Sequence, residues 1–286
     1  MNKLPTLHSV ANSLSVIKLF IAAAKQSGIN ILELLHQGDD CGQTMLHNAV
    51  IHRQLHVVTY LKELIGVERF RELVHVVDKQ GNSALHYCKD QDIAAMFIKA
   101  VAGEKKGKGK KGNDARKEKL KGLIDLKNKY GQTASHLASE AGATEVLKIL
   151  LRENMSEEQQ KDHKGNTALH YAKNGTIAAQ LTKRPKRRMD FMLTTNCDGN
   201  TALHTARTVG CVTAITDKFK LKSALEEFIL MKNNAGLTAG EALRLQGLDK
   251  VADRVAIELR LTQDCSESDN INRNHPLERV YADYIR

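Results

Sequence analysis

The chain has no tryptophan, and only 4% of its 286 residues are aromatic. A core built on large rings is therefore not expected; layered helices carrying Ala, Leu, Ile and Val are. The five cysteines, Cys41, Cys88, Cys197, Cys211 and Cys265, are odd in number, and no two stand in C-x-x-C spacing. A disulfide framework and a zinc site are disfavoured, and a reduced, intracellular setting is expected. Cys41 and Cys197 fall in turn sequences without a context that would activate a thiol. No stretch approaches the roughly 18 apolar residues of a membrane span. Only Lys3 precedes the N-terminal apolar run, which Ser15 and Lys18 interrupt, so no secretory signal is expected. A nucleophile elbow, a phosphate-binding glycine loop, a kinase set and an H-E-x-x-H helix are all missing, so neither an enzyme nor a cofactor is expected.

Acidic balance is lacking in two places only. The net charge is +10, yet residues 104–122 hold nine Lys or Arg against three acids, and residues 183–188 hold five basic residues and no acid. These two runs carry the whole excess and leave the remaining chain close to neutral.

What the chain has in abundance is one pattern: Asp or Asn, two residues, Gly, one residue, Thr or Ser, two residues, His. It stands at Asp39/Gly42/Thr44/His47, Asp78/Gly81/Ser83/His86, Asn128/Gly131/Thr133/His136, Asp162/Gly165/Thr167/His170 and Asn196/Gly199/Thr201/His204. A sixth copy, Asn233/Gly236/Thr238, has Glu241 in place of His. Asp or Asn closes a tight turn on its own backbone. Gly supplies a positive φ, and Thr or Ser opens the following apolar stretch as a helix N-cap. Two residues beyond His the side chain is small: Ala49, Cys88, Ala138, Ala172 and Ala206. A fixed recurrence of this kind marks a stacked repeat protein.

The runs GQTMLHNA, GNSALHYC, GNTALHYA and GNTALHTA resemble the ankyrin repeat, whose core motif is T-P-L-H-x-A. The resemblance covers residues 1 to 261. It implies an all-α solenoid of about seven helix-turn-helix repeats with projecting finger turns. It also implies that His47, His86, His136, His170 and His204 are structural, bonding turn backbone and tying neighbouring repeats together. Spacing supports this over a metal array, since stacked layers lie about 10 Å apart and zinc ligands must converge to about 2 Å. With only three prolines, Ala or Met mostly stands where the family has Pro.

Residues 4–21 read as a degenerate first repeat through Leu7 and His8, and residues 262–286 as a C-terminal tail with a short helix over 275–286. The motif spacings are uneven, and the excess is expected in loops. Phe70, Leu73 and Val74 nevertheless stand at helical spacing, and residues 223–231 could add a helical turn. The third and fifth repeats are each about three residues short between their helices. Each is followed by a basic insertion, residues 103–122 and 183–188. The Gly and Lys content of the first predicts a mobile loop.

The function expected is a non-catalytic, monomeric scaffold for a protein partner, with Gln43, Asn82, Gln132 and Asn200 in the turns setting specificity. The alternative is a nuclear or polyanion-binding adaptor, with nucleic acid among its partners. It would act through Lys105, Lys106, Lys108, Lys110 and Lys111 and through Lys183, Arg184, Lys186, Arg187 and Arg188, the last run resembling a nuclear-import signal. Irregular spacings and long insertions resemble the ankyrin-bearing effectors that intracellular bacteria inject into host cells. The expected location is the cytoplasm and the nucleus, reached by secretion in the effector case.

Overall fold

The computed structural model describes residues 13–103, 110–153, 160–183 and 188–263. The motif at Leu7 and His8, Cys265 and the short helix expected over 275–286 lie outside them. The chain divides into two compact units, Met1–Ala138 with Glu145–Glu157, and Ser139–Thr144 with Glu158–Arg286. The described secondary structure is helical, in the order turn, helix, helix expected of ankyrin-type repeats, and its only β pairing is isolated bridges such as Val77 with Ser83.

In the first unit α1 (Leu14–Gln26) buries Ile17, Ile21 and Ala24, one stripe at helical spacing. Next come α2 (Ile31–His36), α3 (Met45–Ile51) and α4 (Leu55–His75). A 3-10 turn over Ala84–Tyr87 leads to α5 (Gln91–Ala102) and α6 (Lys110–Ile124). Helix α4 packs on α3 and α5, where Phe70 and Phe97 meet at a ring-centroid distance of 5.9 Å. The unit boundary falls within the hairpin of α7 (Ala134–Ala141) and α8 (Thr144–Glu153).

The second unit contains α9 (Gly175–Leu181), α10 (Arg188–Leu193), α11 (Val209–Thr216), α12 (Lys222–Leu230), α13 (Ala239–Leu245) and α14 (Asp249–Gln263). Helix α9 packs on α11, and α14 lies against α11, α12 and α13. The first approach is close because each helix has a glycine in its first turn, Gly175 and Gly210: a Cβ on Gly175 would stand 2.6 Å from the Gly210 carbonyl oxygen.

Two expectations are corrected here. Where it is described, the excess between motifs is largely helical. Among the described residues it is a third helical segment that feeds every finger except the one at Asp162: α2, the part of α4 beyond Gly66, α6, α10 and α12. Gly66, at φ 77° and ψ 164°, breaks α4 and lets it restart in a new direction. Each feeder has, at its last position or the one before it, a buried apolar residue four positions before a turn residue: Leu35 before Asp39, Val74 before Asp78, Ile124 before Asn128, Met192 before Asn196 and Ile229 before Asn233. Apolar residues three and four apart form the anchoring stripe, as in Leu120, Leu123, Ile124 and in Leu225, Phe228, Ile229. The second correction concerns residues 103–122. From Lys110 onward they are helical, because that stripe packs α6 on α5 and Arg116 pairs with Glu153 of α8 at 2.5 Å.

The compression of the third and fifth repeats falls on the first helix. Asp90 caps α5 four residues after His86, accepting the N–H groups of Asp92 and Ile93, whereas seven residues separate His47 from Gln54. Asn174 caps α9 and Thr208 caps α11 at the same distance from His170 and His204. One turn is therefore all that remains of the first helix, and the sixth repeat shares the feature.

Candidate functional site

The fingers are built from the turn residue outward. Asp78 Oδ1 accepts the N–H groups of Gln80 and Asn82 at 2.8 and 2.9 Å, which closes the turn. Gly81 completes it at φ 79°, and a Cβ there would stand 3.1 Å from the nitrogen of Lys129 on the next finger. Within each unit a finger donates one backbone N–H to the finger before it. In the first unit Lys79 donates to Cys41 and Lys129 to Gln80; in the second Cys197 donates to Lys164 and Asn234 to Asp198, all at 2.9–3.0 Å.

Histidines lock the base of each finger. Thr44 donates its backbone N–H to His47 Nδ1 at 3.2 Å, so the imidazole proton sits on Nε2, which donates to the Asn82 carbonyl at 3.0 Å. His86 repeats this between Ser83 and the Gln132 carbonyl, His170 between Thr167 and Asn200, and His204 between Thr201 and Leu237. His136 accepts from Thr133 in the same way. Burial holds His47, His86 and His204 below the ordinary imidazole range, against the opposing pull of the carbonyls they face, and His86 falls to about 4. Glu241 takes the capping half of this role: its Oε2 accepts the N–H and hydroxyl of Thr238, both at 2.8 Å, which keeps its carboxyl below the usual range. A carboxylate has no proton for a following carbonyl, and no further finger follows among the described residues.

A second relay crosses the fingers through side chains. Asn128 Nδ2 donates to Asn82 Oδ1, Asn82 Nδ2 to Tyr87 Oη, and Tyr87 Oη to Asp78 Oδ2. The same order runs in the second unit from Asn196 through Asn166 and Tyr171 to Asp162. Burial alone would raise the carboxyl of Asp78; the bonds from Tyr87 and from the Asn82 and Gln80 amides outweigh it and hold it low. Burial, and then the bond to Asp78, push Tyr87 up to about 12.

These relays decide where the expected contact residues stand. Asn82 is buried and its amide is committed on both sides, a correction to its expected place on the partner surface. Asn200 accepts from Asn233 Nδ2, and Gln132 Oε1 accepts from Asn128. Gln43 reaches the Tyr87 hydroxyl at 3.4 Å. All three are half-buried. What the fingers turn outward is the pair after the turn residue: Asp40 and Cys41, Lys79 and Gln80, and Lys129 and Tyr130 in the first unit; His163 and Lys164, Cys197 and Asp198, and Asn234 and Ala235 in the second. The pattern D-x-x-G could have revealed them, since its two variable positions are those the turn leaves free.

Of the basic runs, Lys183 is exposed just past α9. Lys105, Lys106, Lys108, Arg184, Lys186 and Arg187 lie outside the described residues, and Lys110, Lys111 and Arg188 stand in the first turns of α6 and α10. Cys88 is buried and pushed up to about 12, chiefly by burial, while Cys41 and Cys197 are exposed thiols on fingers. Among the described residues no group of His, Cys, Asp or Glu converges as a metal site would, and no helix is long and apolar enough to cross a membrane.

The family model described as Ankyrin repeats (3 copies) matches residues 19–107 and 111–187. The chain is similar to the nuclear factor NF-kappa-B p105 subunit of Gallus gallus, at 29% identity over 147 residues. That stretch is 50% of this chain and 13% of the relative, so the chain spans a small part of the relative's length. Among solved structures it is similar to the ankyrin repeat domain of Bcl-3, a member of the IkappaB protein family. The TM-score is 0.50 and the identity 17%, over 88% of this chain and 100% of that one. EF0377, an ankyrin repeat protein, aligns with a TM-score of 0.42 at 17% identity over 71% and 98% of the two chains. Likeness at this identity shows the fold alone.

Proposed function

The chain belongs to the ankyrin repeat family, and we propose on that premise that it is a non-catalytic scaffold that binds another protein along its finger edges. Ankyrin repeats are generally protein–protein interaction modules. The observation that carries the reading is the division of labour in each finger. Turn carboxylates, amides and histidines face inward and are consumed by the relays, while the two residues after the turn residue face outward on a backbone already fixed. A preordered edge loses little entropy on binding. The test is a partner screen with wild type and with outward-facing substitutions such as Lys129→Glu and Tyr130→Ala, checked for unchanged thermal unfolding. Loss of a stoichiometric protein partner supports the scaffold; retention of every partner refutes it.

A second reading rests on the two basic runs, which hold the whole charge excess. It makes the chain a nuclear or polyanion-binding adaptor, with phosphate contacts that weaken steeply in salt. Replacing Lys183, Arg184, Lys186, Arg187 and Arg188 by Ala in a fluorescent fusion should abolish nuclear accumulation, and an unchanged distribution ends the idea. A finer form of the scaffold reading, a secreted effector acting on host proteins, rests on the irregular repeat spacing and is tested by a translocation reporter.

A further inference from the structure

On the fingers of the first unit the turn carboxylates face inward and the lysines outward, Asp40 of the first finger being the one acid among the three outward pairs. Asp39 and Asp78 are turned into their own fingers, each accepting two backbone N–H bonds. Lys79, Lys127 and Lys129 are exposed. Lys79 and Lys129 form no ion pair among the described residues; the Lys79 ammonium rests on the Asp40 carbonyl at 2.8 Å. Tyr130 stands beside them with 57% of its surface exposed, and its hydroxyl donates to Gln80 Oε1 on the preceding finger at 3.0 Å. The ring is thus held across two fingers with most of its surface free. On the second and third fingers the outward pairs, Lys79 with Gln80 and Lys129 with Tyr130, carry two lysines and no acid.

We propose that this edge binds an extended acidic segment of a protein partner, with carboxylates on Lys79 and Lys129 and an apolar side chain against Tyr130. The inference rests on the scaffold reading above and adds the partner's chemistry. Spacing sharpens it. Stacked layers repeat at about 10 Å, and a polyproline II chain rises about 3.1 Å per residue with three residues per turn. Residues three apart on such a chain therefore advance about 9 Å and return to one face. The partner carries Asp or Glu at every third position, with Pro or a small apolar residue between, and aromatic surfaces suit that conformation.

The probe is a fluorescein-labelled 12-residue peptide of Glu-Pro-Ala repeats. Its control has the same composition with the four Glu adjacent. Anisotropy with the full chain should show the repeating peptide binding at least about tenfold tighter than the control, and Lys129→Glu should remove about tenfold of that affinity. Tyr130→Ala should weaken it several-fold, while replacing Lys105, Lys106 and Lys108 by Ala leaves it unchanged. Equal binding of the two peptides overturns the proposal, as does a loss that follows the insertion lysines instead of the finger lysines. A display library of random 12-residue peptides, counter-selected on Lys129→Glu, separates the two readings. Finger-dependent binders rich in spaced acids support the proposal. Finger-dependent binders without acids overturn it and leave the scaffold standing, and the lack of any finger-dependent binder overturns both.

Discussion

Lowering the pH from 7.5 to 5.0 should destabilise this protein through its finger histidines. His86 is buried, accepts the Ser83 N–H on Nδ1 and donates from Nε2 to the Gln132 carbonyl. Protonation would put a hydrogen on Nδ1, where an N–H already points. The folded imidazole therefore resists protonation down to about pH 4, while the unfolded one titrates near its ordinary 6.5. A base lowered in the folded state gives stability that is full above about 6.5 and lost as pH falls toward 4. At one pH unit per about 1.4 kcal/mol, the fall to pH 5.0 costs about 2 kcal/mol for His86 alone. His47 and His204, lowered for the same reason, act in the same direction. Urea unfolding across this range should show a midpoint that declines with acid, and His86→Gln should flatten the decline after lowering stability at pH 7.5 by about 1–3 kcal/mol. An unchanged midpoint between pH 7.5 and 5.0, or an imidazole proton resonance of His86 that titrates near 6.5 in the folded protein, would refute the reasoning.

Gly81→Ala should lower the thermal midpoint, with a cost of about 1–3 kcal/mol, because φ is 79° and the new Cβ meets the Lys129 nitrogen. Arg116→Ala should cost about 2 kcal/mol and release hydrogen-exchange protection in α6; the loss stays below that of a fully orphaned buried charge because Arg152 still reaches Glu153 at 3.2 Å. Asn128→Asp should cost about 1–3 kcal/mol in urea unfolding, since a carboxylate would face Asn82 Oδ1 at the 2.9 Å that an amide proton now bridges. Asp39→Asn should stay within about 0.5 kcal/mol, because Oδ1 keeps its bonds from Cys41 and Gln43.

The repeat was legible because each of its positions answers a backbone demand that few residue types meet. Gly81 is needed for its φ, Ser83 and Thr44 cap, and His86 and His47 sit where an imidazole reaches both its own cap and the next finger. The feeder helices were not legible as a class, since the ankyrin template has two helices and these segments differ in everything but a short apolar stripe. In α6 that stripe, Leu120, Leu123 and Ile124, trails a run whose Lys and Gly content argues for a loop. Packing on α5 overrides that composition. Asn82 was misplaced for a related reason. A small polar residue in a turn reads as exposed, and only the stacking of the next finger, with Asn128 at 2.9 Å, covers it.

The choice between Asp and Asn at the turn follows from direction. Either residue closes the turn through Oδ1, as Asp78 and Asn128 both do. They differ at the second atom: Asp offers an acceptor, Asn a donor. Where Tyr follows the histidine, at Tyr87 and Tyr171, the turn residue is Asp and takes the phenol proton. The finger after it has Asn, whose donor feeds the buried amide of Asn82 or Asn166. Reversing one amide would turn the Asn82 oxygen toward a phenol whose proton is already given to Asp78, and its nitrogen toward another donor. Every group in the chain is therefore oriented by the one before it. An Asp-Tyr finger followed by an Asn finger is the smallest block that satisfies all four groups, and each compact unit contains one such block. Specificity of stacking order thus resides in the inward relay, which leaves the outward pair of each finger free to vary with the partner.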